Sequence, residues 1–156
     1  MSSICISVTE QLTGIKLTES GSVPVNIEDP FSVVVMSRGH FISKVVMTLS
    51  GRFAGLVVDR MSNGRELPDE EREAYFLEFV NIFIGRFISD INNRTGHPSR
   101  FVIPVLLKGT YTDTADTVYG NSAGVTLSGE YGEIRITIRY DVLPDYSQVQ
   151  KLAKEE

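Results

Sequence analysis

Residues 69–93, DEEREAYFLEFVNIFIGRFISDINN, decide the reading of the chain. A helix advances about 100° per residue, so Phe76, Val80, Phe83, Ile84, Phe87, Ile88 and Ile91 fall on one wide apolar arc that must face a core. Asp69, Glu70 and Glu71 suit the positive end of such a helix, and Leu67-Pro68 precede them as a start signal. Gly96 and Pro98 end it, so the spacing predicts one helix over about 69–93. Opposite the arc lies a stripe of different character. Ala74, Glu78, Asn81, Gly85 and Ser89 gather within roughly 80° of one another, since residues three and four apart are neighbours on a helix. A carboxylate and a carboxamide thus point outward together.

Ala74 and Gly85 place no bulk beside that pair, so a partner could come close, and Tyr75 and Ile82 border the stripe as apolar contacts. Asn is a mediocre helix former and a mid-helix glycine costs about 1 kcal/mol against alanine. Both in one exposed stripe need a reason, which is either partner approach or the packing of another helix over Gly85. A solvated face is the ordinary fate of an isolated acid and amide at this spacing.

Working outward, residues 31–36 and 41–49 are β-branched and aromatic around the turn cluster Ser37-Arg38-Gly39-His40, which reads as a hairpin. Ser50 is placed as the N-cap of a helix over 51–61, whose apolar face holds Phe53, Ala54, Leu56, Val57, Val58 and Met61. Beyond the long helix, residues 101–108 read as a strand in which Pro104 marks an edge or a bulge. Residues 109–124 read as a polar loop whose Asp113 and Asp116 lack the spacing of a calcium loop. Residues 125–128 and 133–142 read as a second hairpin around Gly129-Glu130-Tyr131-Gly132, with Ile134, Ile136, Ile138 and Tyr140 alternating against Arg135, Thr137 and Arg139. At the start, Ile4, Ile6 and Val8 alternate as in a short strand, and the tail from Ser147 reads as polar and frayed. The element order is α+β: an antiparallel sheet packed against two helices, with all 156 residues expected in a single domain.

Composition narrows the function. A net charge of -5 with no Lys/Arg block argues against nucleic acid and for protein partners. No apolar run approaches the roughly 20 residues of a membrane span, and residues 1–10 lack the basic start and apolar stretch of an export signal. Cys5 is the only cysteine, which excludes an internal disulfide and fits a reducing cytoplasm. His40 and His97 lie in unrelated segments with no partner at ligand spacing, so no metal site is expected. Asn93-Arg94-Thr95 matches a glycosylation acceptor by chance.

Glu78-Phe79-Val80-Asn81, with Gly85 four residues after the Asn and Pro104 in the following strand, resembles the E-x-x-N signature of the CheC/CheX family of chemotaxis phosphatases. The context is similar over roughly residues 31–142: a strand and short helix ending near Met61, the Leu67-Pro68-Asp69 opening, the long helix, a strand and a hairpin. A single E-x-x-N favours the one-site CheX type over the two-site CheC type. The chain departs from the pattern in having Ala74 where the family often has Asp or Ser, and in showing no amphipathic helix within its first 30 residues.

The resemblance implies a phosphatase that accelerates dephosphorylation of a phosphorylated CheY-type response regulator. Asn81 would hold a water in line with phosphorus and Glu78 would pair with the regulator's lysine, while Ala74, Tyr75, Ile82 and Gly85 would meet the partner. No cofactor of its own is implied, and Mg²⁺ is expected on the regulator. The resemblance also implies a homodimer built by strand pairing, for which residues 101–108 and 133–142 offer alternating edges. Two alternatives stand beside it. One is a non-catalytic CheC-like module in chemotaxis or flagellar switch signalling, which Ala74 favours; the other is a structural domain whose dimer mate covers the stripe.

Overall fold

The structure, a computed structural model, describes residues 1–21, 26–111 and 119–144; Asp113, Asp116 and the polar tail from Ser147 lie outside the described residues. The elements in chain order are α1 (Ser2–Thr13), β1 (Thr18–Ser20), β2 (Pro30–Gly39), β3 (Phe41–Ser50), α2 (Gly51–Met61), α3 (Asp69–Thr95), β4 (Ser99–Phe101), β5 (Val105–Lys108), β6 (Asn121–Gly129) and β7 (Gly132–Val142). They form the expected α+β arrangement, an antiparallel sheet in the order β1-β6-β7-β3-β2-β4, with β5 also paired to β2.

Local chemistry explains most boundaries. The Ser50 hydroxyl accepts from the Phe53 N–H at 3.1 Å and opens α2 as an N-cap should. α3 begins with three acids in its first turn and closes at Gly96, whose left-handed φ of 70° lets its N–H reach the Asn92 carbonyl at 2.9 Å. The β2–β3 hairpin turns at Gly39, where φ is 120° and a Cβ would come within 2.6 Å of the Pro98 carbonyl oxygen. Only glycine lets the chain after α3 pass this closely.

One face of the sheet carries Val33, Val35, Val45, Met47, Leu49, Ile134, Ile136 and Ile138, all buried. Phe53, Val57 and Val58 from α2 and Phe76, Phe79, Val80, Phe83, Ile84, Phe87 and Ile88 from α3 pack into the same core. Burial of each such side chain stabilises by roughly 1.5–3 kcal/mol before entropy is counted. Arg72 fixes the two helices to each other, bonding the Asp59 carboxylate at 2.8 Å and the Gly55 carbonyl at 3.2 Å. The other face carries Val34, Met36 and Arg38, then Ile42, Lys44 and Val46, then Arg135, Thr137 and Arg139 across successive strands.

Four sequence expectations are corrected. The stretch around Ile4, Ile6 and Val8 is helical, not a strand, so three helices and not two pack on the sheet. Cys5, Val8, Thr9 and Thr13 are buried at helical spacing, and the Thr9 and Thr13 hydroxyls bond back to the Cys5 and Thr9 carbonyls at 2.7 and 2.5 Å. Weak helix formers are held there by packing, which overrides propensity. Residues 101–108 are two short strands, because Pro104 has no N–H to give the ladder; between them the Val102 N–H still reaches the Met36 carbonyl at 2.7 Å. Residues 121–124, read as loop, extend β6 by pairing with residues 137–140. Finally, β7 lies inside the sheet between β6 and β3, so of the two edges expected only the β4–β5 side is one.

Candidate functional site

The E-x-x-N residues lie on α3, as the periodicity requires. Glu78 is exposed and Asn81 is half-buried, one turn further along the same face. Neither side chain has a hydrogen-bond partner among the described residues. A free carboxylate and a free carboxamide therefore point out of one helix, able to accept a charge and to orient a small polar molecule respectively.

α1 supplies what the sequence reading lacked. It packs against α3, and the two helices form the walls of an open groove of about 580 Å³. Asn81, Ile82, Gly85 and Ser89 line one wall; Ser3, Ile4 and Ser7 line the other. The Arg86 guanidinium donates to the Gln11 side-chain carbonyl at 2.6 Å and ties the walls together. The buried arc of α3 is wider than predicted, since Phe79, left out of that arc, is fully buried. The polar row Ser3, Ser7, Gln11, spaced by four, was the available signal for this wall.

The predicted contact residues divide by position. Ile82 and Gly85 lie in the groove with Asn81. Ala74 is exposed one turn before Glu78. Tyr75 is half-buried on the flank, where the Arg65 guanidinium donates to its hydroxyl and lies over its ring, 6.0 Å from the centre. At Gly85 an added Cβ would meet nothing closer than a Phe101 ring carbon at 3.9 Å. Among the described residues no atom of another helix comes within 4 Å of that position, so α1, across the groove, leaves room beside Gly85.

Other candidate groups do not join this site. His40 and His97, which lie in unrelated segments of the sequence, meet with ring centres 4.4 Å apart and planes tilted by 35° where the β2–β3 turn meets the chain leaving α3. No group of three metal-ligating side chains occurs among the described residues. Cys5 is buried, and that burial pushes its thiol from the ordinary 9.0 up to about 12, so it is a packing residue and not a nucleophile. No helix among the described residues is long and apolar enough to cross a membrane.

No family model matches the sequence, and no curated protein matches it by sequence. Solved structures do match. The chemotaxis protein CheX from Desulfovibrio desulfuricans superposes with a TM-score of 0.72 at 16% identity, over 90% of this chain and 95% of that one. A CheC-like superfamily protein from a Shewanella species gives 0.69 at 16% identity over 90% and 94%. The CheX of a CheX–CheY–BeF3–Mg²⁺ complex from Borrelia burgdorferi gives 0.68 at 17% identity over 89% and 94%. The fold of this chain is that of the CheX and CheC-like chemotaxis proteins.

Proposed function

We propose that this chain is a phosphatase of a CheY-type response regulator. The observation that carries the reading is the unpartnered Glu78 and Asn81 on the outward face of α3, with Asn81 at the wall of an open groove. A similarly folded CheX has been captured with CheY, BeF3 and Mg²⁺, and BeF3 imitates a phosphoryl group chemically.

The chemistry asks little of the phosphatase. The acyl phosphate, Mg²⁺, lysine and threonine belong to the regulator, and hydrolysis waits on a water held in line. The Asn81 amide can both donate and accept, and would hold that water against phosphorus. The water oxygen bonds phosphorus as the bond to the regulator's aspartate oxygen breaks, releasing phosphate and the carboxylate. Glu78 would accept a charge-assisted hydrogen bond from the regulator's lysine and fix the register of docking. Ala74, Gly85 and Ile82 would let the two surfaces close around the amide, with Tyr75 at the flank. The protein needs no metal of its own for these steps.

The reading includes a homodimer built along the outer edge of β4 and β5, which no other described strand pairs. A non-catalytic module is the second reading, favoured by Ala74, which is exposed and brings no polar group to the pair. Timed release of inorganic phosphate from a phosphorylated CheY-type regulator, with and without this chain, separates the two. Acceleration supports the phosphatase, and binding without acceleration supports the module.

A further inference from the structure

On the helix-free face of the sheet, Arg38 of β2 and Arg100 of β4 stand directly opposite each other in register. Cross-strand partners lie about 4.5–5.5 Å apart at Cβ, and like charges so placed destabilise the pair of strands. Both side chains are exposed, and neither has a partner among the described residues. Among the described residues, the carboxylates on the same face, Asp141 and Glu133, are on β7, two strands away from β2. Asp141 is already engaged, accepting from the Gly120 N–H at 2.9 Å and from the Asn121 amide at 3.3 Å.

The arginine pair does not stand alone. It lines a cleft of about 820 Å³ together with Val102 and Ile103. Ile103 is 82% exposed, Met36 43% and Val102 39%, and exposed Val105 and Leu107 continue the apolar strip along β2. Two guanidiniums at the end of an apolar strip, on a chain of net charge -5, form a locally cationic and greasy surface. Unsatisfied charge of one sign is kept most cheaply where a ligand of the other sign completes it.

We infer that this face is a second docking surface, for an acidic segment of a protein partner that sets carboxylates on Arg38 and Arg100 and apolar side chains on Val102, Ile103 and Met36. It lies on the opposite side of the sheet from α3, so it could be occupied together with that site; it borders the β4–β5 edge of the proposed dimer, where strand pairing would engage the backbone and leave these side chains on the face. A second copy of this chain fits less well. Among the described residues, the same face of a copy offers no unengaged carboxylate near the pair.

The test uses the full chain and a fluorescein-labelled peptide alternating glutamate and leucine, with a glutamine-for-glutamate peptide as control, read by fluorescence anisotropy at low salt. The inference expects binding of the acidic peptide only, weakened about tenfold or more in Arg38→Ala/Arg100→Ala. The melting temperature of that variant should be unchanged or raised, because a repulsive pair is removed. Acidic-peptide binding that the double variant retains would overturn the inference, and so would equal binding of the glutamine peptide. Salt-sensitive attachment to phosphatidylserine vesicles without peptide binding would assign the face to a membrane instead. A solution mass that falls when the arginines are removed would assign it to self-association.

Discussion

The Arg86 guanidinium on α3 donates to the Gln11 side-chain carbonyl on α1 at 2.6 Å, and this bond links the two helices that wall the groove lined by Asn81. Both residues are exposed, so the bond sets the spacing of two helices and adds little to folding. Arg86→Ala should therefore cost about 1 kcal/mol or less in urea unfolding. In a regulator assay it should raise the concentration needed for half-maximal effect more than it lowers the maximal rate. A loss above about 2 kcal/mol would mean that the bond is structural.

Gly85 and Gly39 make opposite predictions. A methyl at Gly85 reaches only ordinary contact with Phe101 at 3.9 Å, so Gly85→Ala should stabilise α3 by about 1 kcal/mol through helix propensity. The added methyl enters the groove beside Asn81, and assisted hydrolysis should fall as stability rises. Gly39→Ala should do the reverse to the fold. Its Cβ would sit 2.6 Å from the Pro98 carbonyl oxygen at a φ of 120°, and thermal melting should show a loss of at least about 1–3 kcal/mol.

Cys5 gives a pH prediction with a definite sign. Burial, offset in part by Thr9 and the N-terminal charge, raises the thiol from 9.0 to about 12 in the folded chain. The unfolded chain therefore loses this proton first as pH rises. Stability is full below pH 9 and declines between about 9 and 12, by on the order of 1.4 kcal/mol per pH unit from this group. Cys5→Ala should flatten that limb of the stability profile. A thiol reagent at pH 8 should label the wild-type chain at the rate of unfolding, not at the rate of a free thiol.

For assembly, the outer edge of β4 and β5 is unpaired among the described residues. Light scattering at micromolar concentration should report twice the 17.3 kDa chain mass. The Gly109 N–H bonds the Pro30 carbonyl, so by the alternation of an antiparallel ladder the Lys108 N–H points away from β2, and Lys108→Pro should shift the mass toward the monomer. A monomer mass for the wild type would contradict strand-paired dimerisation.

How much of this was legible in the sequence depends on how local the cause is. α3 could be read almost to the residue, because seven apolar positions at helical spacing, acids at one end and a glycine at the other all agree. The hairpin of β2 and β3 and the N-cap Ser50 were equally plain, being set by neighbours in the chain. α1 was not. Ile4, Ile6 and Val8 alternate, and Thr9 and Thr13 are poor helix formers, so the helix exists only because α3 and the sheet cover it. Missing α1 also hid the groove wall from the site. The halves of the β4–β5 edge and the His40–His97 contact depend on where distant segments meet, which no local pattern encodes.

The central claim is that the Asn81 amide positions water while the fold is indifferent to it. The most direct measurement is the rate of phosphate release from a phosphorylated CheY-type regulator with wild-type chain and with Asn81→Ala, alongside thermal melting of both. The account predicts a rate reduced on the order of 10²-fold or more, with the melting temperature unchanged or slightly raised by the better helix former. Wild-type rates from Asn81→Ala, or a loss of activity explained by unfolding, would contradict it.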